Sequence, residues 1–521
     1  MMNSALEMSL SAKLMLAAWL LAILTTILLF KRKSPWWPLA LFVSGFCLAS
    51  AFALFHPFLH AWDEQFHALV AKNALSDPFR PKLYPENPLG KVSEHWTSAN
   101  TWLHKQPLFT WMMAFSMKCF GANLYALRLP SILLFSLMPL ALYRMVKINY
   151  NRLGGFMSAL LLLHSAYMLG LVSGKIGTDH NDIVFSAFVL FSFWSLAEWH
   201  DSEKTRWLYF IGLFVAGAVL TKWLVGLLVF FGWGCLLLYK LLFDKTLPKK
   251  HGASLRAFLK ALAVAIVLVV PWQVYTFWRF PALAHIEMRY NSQHVWESLE
   301  NHIGNAWFHF DQVEKLYFHS VDFWVIFGIC FLLFLRSIGS STYKWMALLS
   351  IAVVYVFFTL VQTKMPSFTV PVMPLVLSVM GIGMAELISF MQKSYIRWAM
   401  MVILPLLFIN LTLKPQKTLG EYGFKSNGAE GTMYARLNEQ AKRMKAATGT
   451  KKRVVFGMEW EDFNHISWMY FTNDLAYPVF PSMHEVGNWQ KNGWKVAILA
   501  KKKELPLWLK NDPKIEIIKW N

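Results

Sequence analysis

The chain has 521 residues, of which 56% are hydrophobic and only 15% charged, against about 25% charged in ordinary soluble domains. Its apolar residues come in long blocks, which excludes one large soluble enzyme, a disordered chain, a collagen and a coiled coil, and implies a polytopic membrane protein. Lys plus Arg total 50 and Asp plus Glu 30, a formal charge of +20, which fits basic cytoplasmic loops and anionic headgroups better than nucleic acid.

A bilayer core takes about 20 mainly apolar residues per helix. The first run, Leu14–Phe30, is followed by Lys31-Arg32-Lys33. That basic cluster lies on the wrong side for a signal peptide and no small-residue cleavage site accompanies it, so the run predicts a retained helix. Pro38–Phe58 comes next and leads into Ala61-Trp62-Asp63-Glu64. The hydrophilic stretch Asp63–Lys105, rich in Pro, Trp and His, is too long for a simple turn. Pro107–Phe120 is apolar but short, and predicts an interfacial or partly re-entrant segment. Further spans are expected at Leu129–Val146, Gly154–Val172, Asp182–Trp199, Trp207–Leu220, Trp223–Leu242, Phe258–Trp278, Val321–Leu335, Trp345–Val361, Phe368–Phe390 and Trp398–Leu413. The expected fold is therefore all-α and polytopic, with about 12–13 transmembrane helices, over residues 1–413. Residues 414–521 are polar and lysine-rich, with strand-like runs at Arg453–Gly457, Lys495–Leu499 and Ile515–Ile518 and an amphipathic helix at His465–Thr472. They predict a small α/β domain.

With Lys31-Arg32-Lys33 cytoplasmic, the loops Arg144–Arg152, Lys204–Arg206, Lys240–Lys260, Arg336–Lys344 and Lys393–Arg397 also fall inside, and all are basic. The other face then receives Asp63–Lys105, the turn near Asp179, the stretch Arg279–Ser320 and the tail. The four cysteines, Cys47, Cys119, Cys235 and Cys330, sit in apolar stretches with neither metal-ligand nor disulfide spacing. No nucleotide-binding glycine loop, zinc-protease helix, nucleophile elbow or internal repeat is present.

Charged residues at membrane ends are candidates for function. Each has a plain structural alternative. Asp63 and Glu64 could be a solvated pair at a helix end, and Asp179 and Asp182 could belong to a polar turn. Lys222 and Lys364 could be snorkelling lysines. Yet Asp63, Lys105, Asp179, Asp182, Lys222 and Lys364 are all expected at one membrane face. A carboxylate beside several cations suits group transfer from a lipid phosphate. His60, Asp63 and His67 have helix-like spacing for a metal, but the sequence offers no further ligand.

Five motifs then carry a resemblance: Trp62-Asp63-Glu64-Gln65-Phe66-His67-Ala68, Lys105-Gln106-Pro107-Leu108-Phe109-Thr110-Trp111, Leu127-Arg128-Leu129-Pro130-Ser131, Leu220-Thr221-Lys222-Trp223 and Lys364-Met365-Pro366-Ser367-Phe368-Thr369-Val370-Pro371. In that order, over roughly residues 37–413, the chain resembles the membrane glycosyltransferases of the GT-C fold. It is most similar to the bacterial branch of aminoarabinose–lipid A transferases and protein O-mannosyltransferase relatives.

The resemblance implies a polyprenyl-phosphate-linked sugar donor and a lipid, glycan or protein acceptor on the periplasmic or external face of the inner membrane. It implies Asp63 as catalytic base with Glu64 as its acidic neighbour, in an extracytoplasmic loop over residues 61–106. Lys105 falls on the donor-phosphate contact, with Lys222 and Lys364 on similar lysine motifs. The second acidic position falls on Asp179 or Asp182. This chain has Gln106 where the family often has a second proline, Phe368 where it often has an aromatic hydroxyl, and an additional first helix. Because the leaving group is already a stabilised anion, one carboxylate suffices, no cofactor is required, and a single displacement inverts the anomeric centre; a divalent metal is compatible with this chemistry but unsupported. The competing class, a transporter, would place ionisable residues deep within spans and break helices there, whereas these charges gather at helix ends.

Overall fold

The computed structural model describes residues 9–31, 33–85, 96–243, 248–414, 429–447, 452–457, 464–500, 505 and 507–519. Arg32, residues 86–95 of the first polar loop, 244–247 of one basic loop and several stretches of the tail lie outside them.

Every apolar run expected to span a membrane is helical in the structure. The cause is the solvent: lipid offers no partner to a backbone N–H or C=O, so each run must satisfy its own. Among the described residues, nine helices are long and apolar enough to cross a membrane, or up to eleven if each of two bent pairs is one span. One pair, Arg152–Leu163 and Ala166–Val172, bends by 52°; the other, Phe308–Leu316 and Ser320–Arg336, by 95°. The apolar run Arg206–Phe243 contains a reversal. Trp223 has φ +62°, and Gly226 sits against the backbone of Ala218 and Val219. Trp207 then meets Trp194, at 5.5 Å between rings, and Trp233 meets Trp199 at 5.2 Å. The run therefore supplies two of the expected spans. Leu108–Phe120 is the short apolar helix expected after the polar loop.

The chain divides into two compact units, Met1–Phe55 with Lys105–Phe109 and Pro130–Lys425, and His56–His104 with Thr110–Leu129 and Ser426–Asn521. The first unit is the helical bundle. Where two helices cross, small residues let their backbones approach, since lipid tails are as apolar as leucine and provide little hydrophobic drive. A Cβ on Gly381 would lie 2.5 Å from the Ser158 nitrogen, and one on Gly383 would lie 2.4 Å from both Cα and O of Cys330. These contacts seat helix Met373–Ser389 against Arg152–Leu163 on one side and Ser320–Arg336 on the other. Close packing, not a broken helix, explains the two glycines.

The second unit contains a four-stranded sheet of β1 (Arg453–Phe456), β2 (Leu475–Tyr477), β3 (Lys495–Ala500) and β4 (Ile515–Lys519). All pairings are parallel, in the order β2-β1-β3-β4. Helices Asn464–Phe471, Met483–Lys491 and Leu507–Asn511 connect the strands, as parallel pairs require. β1, β3, β4 and the first of these helices match the expected elements.

Gly383→Ala forces a methyl into the backbone of the neighbouring helix and is expected to cost about 1–3 kcal/mol. Gly328→Ala has nothing within 4 Å of the new methyl and serves as the control. Thermal unfolding in detergent reads the difference, with the Gly383 variant melting several degrees lower.

Candidate active site

Asp63 and Glu64 open helix Asp63–Asn73 in the second unit. Trp62, just before them, has φ +75° and ψ −127°, a backbone conformation rarely tolerated by a bulky residue. An aromatic wall steadies it. Trp96 meets Trp62 at 5.8 Å and Phe66 at 5.0 Å, and stacks on His104 at 4.6 Å. Both acidic residues are buried, Asp63 at 7% and Glu64 at 1% exposure.

Glu64 takes part in a closed network. Arg128 donates from Nε to Glu64 Oε1 at 2.7 Å and from Nη2 to Oε2 at 3.0 Å, and the His60 backbone N–H reaches Oε2 at 2.8 Å. The same guanidinium donates to the carbonyls of His56 and Phe58. A charge this deeply buried is tolerable only when paired and fully hydrogen-bonded. Glu64 and Arg128 meet that condition, and together they fix how the chain enters the helix bearing Asp63.

The other expected residues belong to the first unit. Asp179 and Asp182 lie in the first turn of helix Asp179–Ser202, both fully buried. Thr178 and Asp179 have positive φ, +70° and +29°. Asp182 accepts from the Thr178 hydroxyl and from the Lys222 ammonium, while Asp179 accepts from the His180 backbone N–H. His180 Nδ1 lies 2.8 Å from Ser131 Oγ. Lys222 ends helix Arg206–Lys222, so the pair joins a carboxylate at a helix start to a cation at a helix end, the favourable arrangement for both dipoles. The Lys222 ammonium also lies 5.8 Å from the Phe368 ring centroid, where the aromatic face can attract a cation without a hydroxyl.

Lys364 is 5% exposed, and its ammonium donates to the carbonyls of Phe358 at 3.0 Å and Thr359 at 2.6 Å. It thus closes the end of helix Ser341–Leu360. Burial lowers its pKa from the usual lysine value. Gln106 accepts from Gln273 Nε2 at 2.8 Å, a bond that a proline at that position could not make.

Lys105 has acidic company that the spacing of motifs did not reveal. Glu287, on helix Pro281–Trp296, has its carboxyl pushed up to about 7 by burial, with the Lys105 charge acting against the rise. His294, on the same helix, is pushed down by burial; Glu300 opposes this, and Lys105 and His302 add to it. Its Nδ1 lies 3.0 Å from Thr363 Oγ1. The only sequence signal for these residues was a polar stretch, Arg279–Ser320, between two spans. Among the described residues no group of three or more His, Cys, Asp or Glu side chains could hold a metal ion.

Residues 104–275 match the model of the family described as dolichyl-phosphate-mannose-protein mannosyltransferase. No curated protein matches the chain. Among solved structures, ArnT from Cupriavidus metallidurans bound to undecaprenyl phosphate superposes with a TM-score of 0.56 at 14% identity, covering 93% of this chain and 90% of that one. The same protein in its apo state gives 0.55 at 13% identity, over 89% and 86% of the two chains. The apo oligosaccharyltransferase of Archaeoglobus fulgidus gives 0.51 at 11% identity, over 87% of this chain and 65% of that one. The chain thus has the fold of the GT-C membrane glycosyltransferases, and its residues 104–275 resemble the dolichyl-phosphate-mannose-protein mannosyltransferases.

Proposed function

We propose that the protein moves a sugar from a polyprenyl-phosphate carrier to a lipid, glycan or protein acceptor on the periplasmic or external face of the inner membrane. One convergence carries this reading: two comparisons of different kind name the same carrier chemistry. The family model is that of dolichyl-phosphate-mannose users, and the structure that superposes over 93% of this chain holds undecaprenyl phosphate. Both carriers are polyprenyl phosphates.

In this reading Asp63 is the base. It deprotonates the acceptor hydroxyl or phosphate as that oxygen attacks the anomeric carbon; the bond from that carbon to the carrier phosphate breaks, and the phosphate leaves as an anion. One displacement inverts the centre. Support for Asp63 comes from its position at a strained, aromatic-walled helix start, beside a Glu64 committed to Arg128. Glu64 is then a positioning residue. Lys105 and Lys222 supply positive charge for the leaving phosphate, and Asp182 orients Lys222. Asp179, the remaining acidic residue of that turn, is assigned to acceptor orientation. Lys364, turned onto helix-end carbonyls, supports the fold of this region. No step in the scheme calls for a cofactor or a divalent metal.

The test is transfer from a radiolabelled polyprenyl-phosphate sugar by purified protein in detergent, where transport cannot register. Asp63→Asn is expected to leave expression intact and reduce turnover at least 10²-fold, the scale of a lost general base. Near-normal turnover would remove Asp63 from that role. Lys105→Ala is expected to weaken donor use; an unaltered donor KM and kcat would argue against a phosphate contact there.

Glu287 adds a pH signature. Its folded pKa of about 7 exceeds the ordinary carboxyl value of 4.5. The folded state therefore binds more protons than the unfolded state between these values, and stability falls as pH rises through that window. Glu287→Gln is expected to flatten the fall. Melting temperatures from pH 4.5 to 8 in detergent compare the two slopes.

A further inference from the structure

The helix that begins at Asp63 ends at Asn73, and Lys72 lies in its last turn. The Lys72 ammonium donates to three backbone carbonyls, those of Met469 at 2.9 Å, Tyr470 at 2.8 Å and Thr472 at 2.6 Å. These are carbonyls at the end of helix Asn464–Phe471, a helix end that leaves its last acceptors without intrahelical partners. An ammonium has three donors, and here all three are used on one acceptor cluster about 400 residues away in the chain. Burial lowers Lys72 to about 8, with Asp474 opposing, so at pH 7 the group is still mostly an ammonium.

The acceptor end is itself held. Asp474 Oδ2 accepts from Arg453 Nη2 at 2.7 Å and from Trp468 Nε1 at 2.8 Å, which ties the turn after Thr472 to β1. Around this polar contact lies apolar packing between the same parts of the chain. Phe58 clusters with Leu437 and Ala441, with Phe471 packed against them. Tyr84 stacks on Tyr477 at 5.3 Å. The polar loop and the C-terminal residues are thus one packed body, the second unit.

A helix transmits position along its axis. From Asp63 to Lys72 is nine residues, about 13 Å at 1.5 Å each, and a rigid rod of that length moves at one end when released at the other. We propose that Lys72 is a positioning residue: by seizing the carbonyl end of helix Asn464–Phe471 it makes the C-terminal domain a clamp on the helix that places Asp63. The proposal rests on Asp63 being the base. In it the C-terminal domain is part of the catalytic apparatus, acting through the far end of one short helix. Proton abstraction depends on sub-ångström placement, so loosening the clamp lowers kcat, while donor binding by the carrier phosphate is left in place.

The experiment uses full-length protein in detergent with Lys72→Met and Lys72→Arg. Lys72→Gln, which keeps a donor and most of the stem, replaces the Met variant if that does not purify. Two quantities are read: hydrogen exchange of peptides covering residues 63–73 and 464–472, and steady-state transfer from the radiolabelled donor. Lys72→Met is expected to speed exchange in both segments at least tenfold. It should lower kcat at least tenfold with donor KM changed less than twofold, and Lys72→Arg should recover most of both losses. Unchanged kcat, a loss confined to KM, or faster exchange in 464–472 alone would overturn the proposal. Asp63→Asn, run in parallel, separates the two readings. Retained turnover in that variant removes the base, while the exchange data still decide whether Lys72 couples the two helices.

Discussion

Arg128 is 1% exposed, and nearly every donor it owns is committed to Glu64 or to the carbonyls of His56 and Phe58. Removing either partner would strand a buried charge, which typically costs about 3–5 kcal/mol. What the pair maintains is a direction. It holds the chain between His56 and His60 so that Trp62 can take its left-handed turn and helix Asp63–Asn73 can start with two buried carboxylates. Electrostatic repulsion between those neighbours is relieved because one of them carries its own counter-ion. The helix is then fixed at its start by Arg128 and at its end by Lys72, two cations of different chemistry used in different ways. The planar guanidinium binds a carboxylate edge-on, and the compact ammonium fills a ring of carbonyls.

The first unit solves a similar problem inside a helical bundle. Asp182 is buried at the start of one helix, and Lys222 at the end of the next brings it a counter-charge. Just beyond Lys222, Trp223 turns the chain so that the following helix brings Trp233 back to Trp199, near the far end of helix Asp179–Ser202. A reversal, a buried carboxylate and an ammonium are therefore one construction. On the opposite side of the bundle Arg144 pairs with Glu198, at 2.6 and 3.0 Å, at the other end of the helix that carries Asp182. That helix is thus secured by ion pairs at both ends, and the small-residue crossings at Gly381 and Gly383 need only supply close packing.

The bundle was legible in the sequence because lipid leaves so few choices: a long apolar run must close its own hydrogen bonds, so run and helix coincide. The strands Arg453–Phe456, Lys495–Ala500 and Ile515–Lys519 were legible as β-branched runs, whereas Leu475–Tyr477 spans three residues and leaves no periodicity to detect. Asp63, Glu64, Lys105, Asp182 and Lys222 could be singled out by residue type and place. Their partners could not, because Glu64 and Arg128 are 64 residues apart and Lys72 and Thr472 are 400 apart. Arg128 stands within the motif Leu127–Ser131, but only the fold shows what it holds. Glu287 was invisible for another reason: its importance lies in burial beside Lys105, and burial of a single carboxyl in a polar stretch has no sequence signature.

The fate of the cations also bears on how a lipid phosphate would be received. Lys364 and Lys72 hold helix-end carbonyls, and a phosphate would have to compete with backbone acceptors that water cannot replace in a buried site. Lys222 and Lys105 are different: Lys222 meets the Asp182 carboxylate, and the Lys105 charge acts on Glu287. Asp182 is fully buried and also accepts from the Thr178 hydroxyl, so Lys222 already has a fixed partner. Glu287 has its pKa raised to about 7, so near neutral pH a proton costs it little. In the proposed reaction a phosphate held by Lys105 would favour the neutral Glu287 carboxyl. Donor binding in that reaction is therefore expected to take up a proton at Glu287, read as a pH-dependent donor KM that Glu287→Gln flattens.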